Sequence, residues 1–131
     1  MNGKRYLLDT NAVIALLQGN ETILQQLKNA NWVGISVISQ LEFSVFPNLT
    51  DTDKLYFDRF LQRVEIVGLT PENTALMNII IGMRQKFRVK LPDAIIVGTA
   101  IERNATLVTA DKQLCKLENT PAWDFSSSVD S

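Results

Sequence analysis

Two hydrophobic rhythms alternate along this chain. Short, unbroken apolar runs are separated by longer stretches in which apolar side chains recur every third or fourth position. The first rhythm reads as buried strand, the second as amphipathic helix. Arg5-Tyr6-Leu7-Leu8 predicts a strand ending at Asp9. Residues 11–17 follow with helical spacing through Val13, Ile14 and Leu17, until Gly19-Asn20 breaks it. A second helix over 21–30 carries Ile23, Leu24 and Leu27 on one face. Trp32-Val33-Gly34-Ile35 reads as strand two, and Ser36 is placed to cap a helix whose stripe is Ile38, Leu41 and Val45, stopped by Pro47. Residues 51–63 are helical again, with Leu55, Phe60 and Leu61, and 64–67 form strand three. Thr70-Pro71-Glu72 predicts a helix start with proline in the first position, running on to Phe87. Leu91-Pro92-Asp93 opens another helix, with Ala94, Val97, Gly98 and Ile101 facing inward. Thr106 to Thr109 is strand four, 111–117 a short helix, and Trp123 with Phe125 a short edge strand. Fraying is expected after about residue 125.

Strands alternating with helices predict an α/β fold: one domain over residues 1–131, with a central parallel sheet of four or five strands and helices on both faces. Ligands in such sheets bind beyond the carboxyl ends of the strands. Asp9 stands at that end of strand one and Asp111 two residues past strand four. Asp93, in the first turn of the helix leading into strand four, shares the edge. Glu42 lies between Ile38 and Phe46 at helical spacing. Its apolar face predicts partial burial without a neighbouring Lys or Arg, which calls for a partner or a proton. Each acid has a plainer reading: Asp9 and Asp111 as helix caps, Asp93 as a complement to a helix dipole, Glu42 as a surface residue. Only their convergence on one edge sets them apart. Gathered carboxylates repel unless a hard divalent cation, Mg²⁺ or Mn²⁺, neutralises them. Such an ion activates water and stabilises a leaving oxygen in phosphodiester hydrolysis.

Composition sharpens this. The 131 residues include no histidine, which excludes Ser-His-Asp and Cys-His catalysis, histidine zinc sites and histidine-based RNA cleavage. The single cysteine, Cys115, excludes an intramolecular disulfide and is expected to be a buried structural thiol. A net charge of −1 argues against a passive nucleic-acid-binding module. No apolar run approaches the length of a membrane span, and Met1 to Arg5 leads into Asp9 without a signal-peptide core. The expectation is a cytoplasmic protein with no membrane partner.

The segments around the four acids resemble a known family. Leu7-Leu8-Asp9-Thr10-Asn11-Ala12-Val13-Ile14, the run from Ile35 to Phe43 with Glu42, the run from Leu91 to Ala100 with Asp93, and Thr106-Leu107-Val108-Thr109-Ala110-Asp111-Lys112 are similar to the four motifs of PIN domains. They occur in order and frame residues 6 to 117. The resemblance implies a PIN fold and Mg²⁺- or Mn²⁺-dependent endoribonuclease activity. It carries over Asp9, Glu42, Asp93 and Asp111 as catalytic and metal-binding acids, with Asn11 and Thr109 as supporting polar groups. Small PIN proteins of this length look like VapC toxins. That implies a homodimer, a VapB-like antitoxin as partner, and structured RNA such as tRNA or rRNA as substrate. A PIN-type RNA-processing nuclease without a toxin role, or a PIN-type binding module without catalysis, are the alternatives.

The dense basic run Arg84, Lys86, Arg88 and Lys90 precedes Asp93 and reads either as a clamp on RNA phosphates or as cations favoured at a helix C-terminus. Trp32, Phe43, Phe46, Phe57 and Phe60 read as core or dimer interface. A receiver domain would want a central aspartate after strand three, where Gly68-Leu69-Thr70 stands. A haloacid-dehalogenase-like phosphatase would show Asp-x-Asp where the chain has Asp9-Thr10-Asn11.

Overall fold

The computed structural model describes residues 4–126, so most of the tail expected to fray lies outside the described residues. In chain order the elements are β1 (Arg5–Leu8), α1 (Thr10–Leu17), α2 (Glu21–Leu27), β2 (Trp32–Ser36), α3 (Val37–Ser44), α4 (Asp51–Leu61), β3 (Glu65–Val67), α5 (Thr74–Phe87), α6 (Leu91–Glu102), β4 (Thr106–Thr109), α7 (Lys112–Cys115) and β5 (Ala122–Asp124). The strands form one five-stranded sheet in the order β3-β2-β1-β4-β5, and every pairing is parallel.

Period-two alternation sorts the core into two halves. Leu7 and Leu107 point to one face, where they meet Leu76, Ile80 and Met83 of α5 and Ala94, Ile96, Val97 and Ala100 of α6. Tyr6, Leu8 and Val108 point to the other, against Ala12, Val13, Ile23, Phe43 and Phe57. There the Phe43 and Phe57 rings stack with centroids 3.9 Å apart. With both faces covered, the strands need no polar side, which is why they read as unbroken apolar runs. Helix α6 is buried from Ala94 to Ala100. It approaches α5 closely at Gly98, where a Cβ would stand 3.0 Å from Ile80 Cγ1.

Several expected boundaries shift for identifiable reasons. Helix α5 begins at Thr74 rather than at Pro71. Asn73 N–H donates to Thr70 O at 3.1 Å to close a turn, and the Asn73 side chain then accepts from Leu76 N–H at 3.1 Å. An asparagine side chain supplies the cap that proline lacks. Helices α2 and α7 stop at Leu27 and Cys115, and β3 starts at Glu65. The largest change is in α3. Ser36 caps it as expected, accepting from Ile38 N–H at 3.1 Å. Its buried positions, however, are Ser39 and Phe43, while Leu41 and Val45 are 58% and 80% exposed. Two overlapping stripes satisfy the same spacing, and only packing decides which faces inward.

The topology sets one end of the sheet apart. The chain leaves β1 toward β2 on one side and returns to β4 on the other, opening a crevice at the carboxyl ends of β1 and β4. Helix α6 must deliver the chain to the amino end of β4, so its N-terminus lies at the carboxyl edge, beside that crevice. No described helix is long and apolar enough to cross a membrane.

Candidate active site

Each acid is held by a different element. Asp9 follows the last residue of β1 and caps α1, its Oδ1 accepting from Ala12 N–H at 2.8 Å. Asp111 follows β4 by two residues and caps α7, accepting from Gln113 N–H at 2.9 Å and Leu114 N–H at 3.3 Å. Both capping readings are therefore correct for one oxygen of each carboxylate. Between them lies Thr109, fully buried. Its hydroxyl accepts Asp111 N–H at 3.0 Å, and its side chain hydrogen-bonds Asp9. Asp93 sits half-buried in the first turn of α6.

Glu42 departs from expectation. It is exposed, not partly buried, because α3 turns Ser39 and Phe43 inward. It also has a protein partner: the Thr10 hydroxyl donates to Glu42 Oε1 at 2.5 Å.

The structure brings all four acids to one pocket of about 290 Å³. Thr10 and Asn11 add polar groups to its wall, and Phe46, Ile96 and Leu114 add apolar ones. Phe46, expected in a core or dimer interface, is 43% exposed and forms part of this rim. Among the described residues, no Lys or Arg lines the pocket. Burial holds the Asp9 carboxyl above its ordinary range. The Thr109 and Ala12 hydrogen bonds oppose this, and the charges of Asp111 and Asp93 add to it. Asp93 is likewise pushed up, first by burial, then by Asp111 and Glu42, with Lys90 opposing.

These observations bear on a cation. The pocket offers hard oxygen donors, with two carboxylates destabilised by burial and by one another, which is the chemistry a divalent ion relieves. Among the described residues, however, no three acids stand close enough to form a ready-made ligand cluster. The convergence is that of a shared pocket. Drawing the side chains onto one ion takes rotamer changes, opposed by the repulsion of like charges.

The basic run divides. Arg84 Nη1 donates to Val89 O at 2.6 Å and Lys86 pairs with Glu118 at 3.2 Å, so both are occupied within the fold. Arg88 terminates α5 in a left-handed conformation (φ 56°), and Lys90 caps α6 close enough to Asp93 to act on its charge. All four remain exposed. Cys115 is half-buried rather than buried, and burial pushes its thiol up.

Two neighbours of the site were not singled out from sequence. Thr10 adjoins Asp9, and its role depends on the approach of α3. Asp124 ends β5 in register with Thr109, pairs with Lys112 and accepts from Ser126 N–H at 2.9 Å. The rule that flagged Asp9, an acid at the carboxyl end of a strand, would have found it had the edge strand been bounded at Asp124.

Comparison with known proteins bears on the family and the fold. The family model described as the PIN domain matches residues 6–119. No curated protein sequence matches the chain. Among solved structures, a toxin–antitoxin complex from Klebsiella pneumoniae contains a chain 27% identical to this one, with a TM-score of 0.68, covering 82% of this chain and 88% of that one. VapBC2 from Rickettsia felis, bound to a promoter DNA fragment, is similar at 25% identity and a TM-score of 0.70, covering 91% and 97%. VapBC-1 from nontypeable Haemophilus influenzae shares the fold, with a TM-score of 0.74 at 20% identity, covering 94% and 99%.

Proposed function

The chain belongs to the PIN-domain family, and from that premise we propose that it is a divalent-metal-dependent endoribonuclease, the toxin of a VapBC-type pair. The observation that carries this reading is the single pocket lined by Asp9, Glu42, Asp93 and Asp111 at the carboxyl edge of the sheet. Asp9, Glu42, Asp93 and Asp111 would hold Mg²⁺ or Mn²⁺. The ion, when bound, supplies an activated water and charge stabilisation at the scissile phosphate. The protein's own part is positioning. Thr109 ties Asp9 to the Asp111 turn, Asn11 offers an amide at the pocket wall, and Lys90, one of the basic residues proposed to meet RNA phosphates, acts on the charge of Asp93.

The likeness to the Klebsiella and Rickettsia complexes supports an antitoxin of the VapB kind as partner. A homodimer, a cytoplasmic setting and a structured RNA substrate such as tRNA or rRNA complete the proposal. Purified protein should cleave RNA in Mg²⁺ or Mn²⁺ and not in EDTA, and Asp93→Asn should abolish cleavage while retaining the wild-type circular dichroism spectrum. Undiminished cleavage by folded Asp93→Asn would refute the assignment. Charge-neutral replacement of Arg84, Lys86, Arg88 and Lys90 should weaken RNA binding and flatten its salt dependence. Unchanged affinity would remove that run from the RNA interface.

A further inference from the structure

We propose that Thr10 is a positioning residue for Glu42, holding this glutamate at the pocket so that it can join Asp9 and Asp93 in binding a divalent ion. The inference rests on the reading of the pocket as a metal-dependent nuclease site. Glu42 reaches the pocket from an exposed face of α3. An exposed, long and flexible side chain has much rotamer freedom to lose on becoming ordered. Among the described residues its one hydrogen-bond partner is the Thr10 hydroxyl, 2.5 Å from Oε1 and 32 positions away in sequence.

Thr10 is well placed for this. It is the first residue of α1, directly after Asp9, whose own side chain caps that helix. The donor that orients Glu42 is thus fixed to the same turn as the buried Asp9, linking two acids from separate elements. A hydroxyl donates one hydrogen, and a carboxylate has several acceptor sites. The bond at Oε1 therefore leaves Oε2 available for an ion. Glu42, Asp9 and Asp93 line the same pocket, so a carboxylate held by Thr10 is kept beside the acids it would share an ion with.

The test separates positioning from folding and from the underlying reading. Mn²⁺ binding would be followed by the loss of the free-ion electron paramagnetic resonance signal in wild type, Thr10→Val, Thr10→Ser, Glu42→Gln and the Thr10→Val/Glu42→Gln pair. Melting in EDTA would be recorded alongside. Valine keeps the branched shape without a donor, and serine keeps the donor. Losing a hydrogen bond to a charged group predicts Mn²⁺ affinity about tenfold weaker in Thr10→Val, with serine within about twofold of wild type. The double variant should be no weaker than Glu42→Gln alone, because two changes acting through one contact do not add. Wild-type affinity in Thr10→Val, or a full additional loss in the double variant, would overturn the positioning role while leaving the nuclease reading intact. Absence of Mn²⁺ binding by wild type would overturn that reading, and this inference with it.

Discussion

Asp9 has two roles that substitution can pull apart, one as a helix cap and one as a charge. Asn at position 9 keeps an oxygen for the Ala12 N–H and loses the charge, whereas Ala loses both. The difference in stability between the two variants isolates the cap. Removing an N-cap side chain costs about 1 kcal/mol. Here the site is only 7% exposed, so the Ala12 N–H and the Thr109 hydroxyl also lose a buried partner, at about 1–3 kcal/mol. The two contributions overlap, and about 2 kcal/mol is expected in total, or about 8 °C in Tm for a chain of this length. The charge acts in the opposite direction. Burial raises the Asp9 pKa, and Asp111 and Asp93 add to the rise. The unfolded chain therefore releases its proton first as pH increases. Metal-free wild type then loses stability as pH rises from about the ordinary 3.8 through the raised folded value. Asp9→Asn does not titrate there. In EDTA at neutral pH it should melt at or above wild type, the advantage shrinking toward acid pH, and Asp9→Ala should melt about 8 °C below it. Thermal melts at several pH values decide this. Coincident melting of the two variants would refute the capping argument, and an Asp9→Asn protein less stable than wild type at neutral pH would refute the electrostatic one.

Other perturbations probe the frame around the site. At Gly34 a Cβ would collide with the Trp32 ring, 2.5 Å from Cζ2, and that ring donates to Glu65 at 2.9 Å under the Arg5 guanidinium. Gly34→Ala should cost about 2 kcal/mol by urea titration, and much less in a Trp32→Ala background; an equal cost in both would show that the ring is not the obstacle. Ser39 Oγ is buried without a partner among the described residues, so Ser39→Ala should raise stability by about 1 kcal/mol, and a loss of that size would reveal a hidden partner. The Lys112 hydrogen bond, with help from Ser126, lowers the Asp124 pKa to about 2. Its contribution to stability is present above about 3.8 and lost as pH falls toward about 2. Asp124→Asn should flatten the acid unfolding limb across that interval, and an unaltered limb would remove the pair from the acid response.

How much of this was legible beforehand varies by residue. Asp9 and Asp111 could be placed because each follows an apolar run that can only be a buried strand, and parallel strands expose their carboxyl ends together. Thr109 and Asn11 could be placed only through the resemblance of their segments to the PIN motifs. Glu42 could be assigned to a helix but not to a face. Ile38-Leu41-Val45 and Ser39-Phe43 share the same spacing, and local periodicity carries no information on which stripe finds a partner. Pro71 carried a helix-start signal that Asn73 overrode with a side-chain hydrogen bond, a contest between two local preferences settled by backbone geometry. Thr10 was missed because what it does is a contact with a residue 32 positions along the chain, and Asp124 because the edge strand was read as reaching Phe125 rather than ending at the acid.

By itself the chain determined the alternation of strands and helices, the parallel sheet, the exclusion of histidine chemistry and the edge at which acids gather. The exclusion follows from composition, and the rest from short-range rules of burial and backbone hydrogen bonding. Tertiary structure alone decided that α3 would expose Glu42 and hand it to Thr10, that Thr109 would tie two acidic turns together, and that Arg84 and Lys86 would be engaged within the fold. Apart from the local Arg84–Val89 bond, these contacts join residues tens of positions apart, and their geometry exists only once the sheet order has brought those positions side by side.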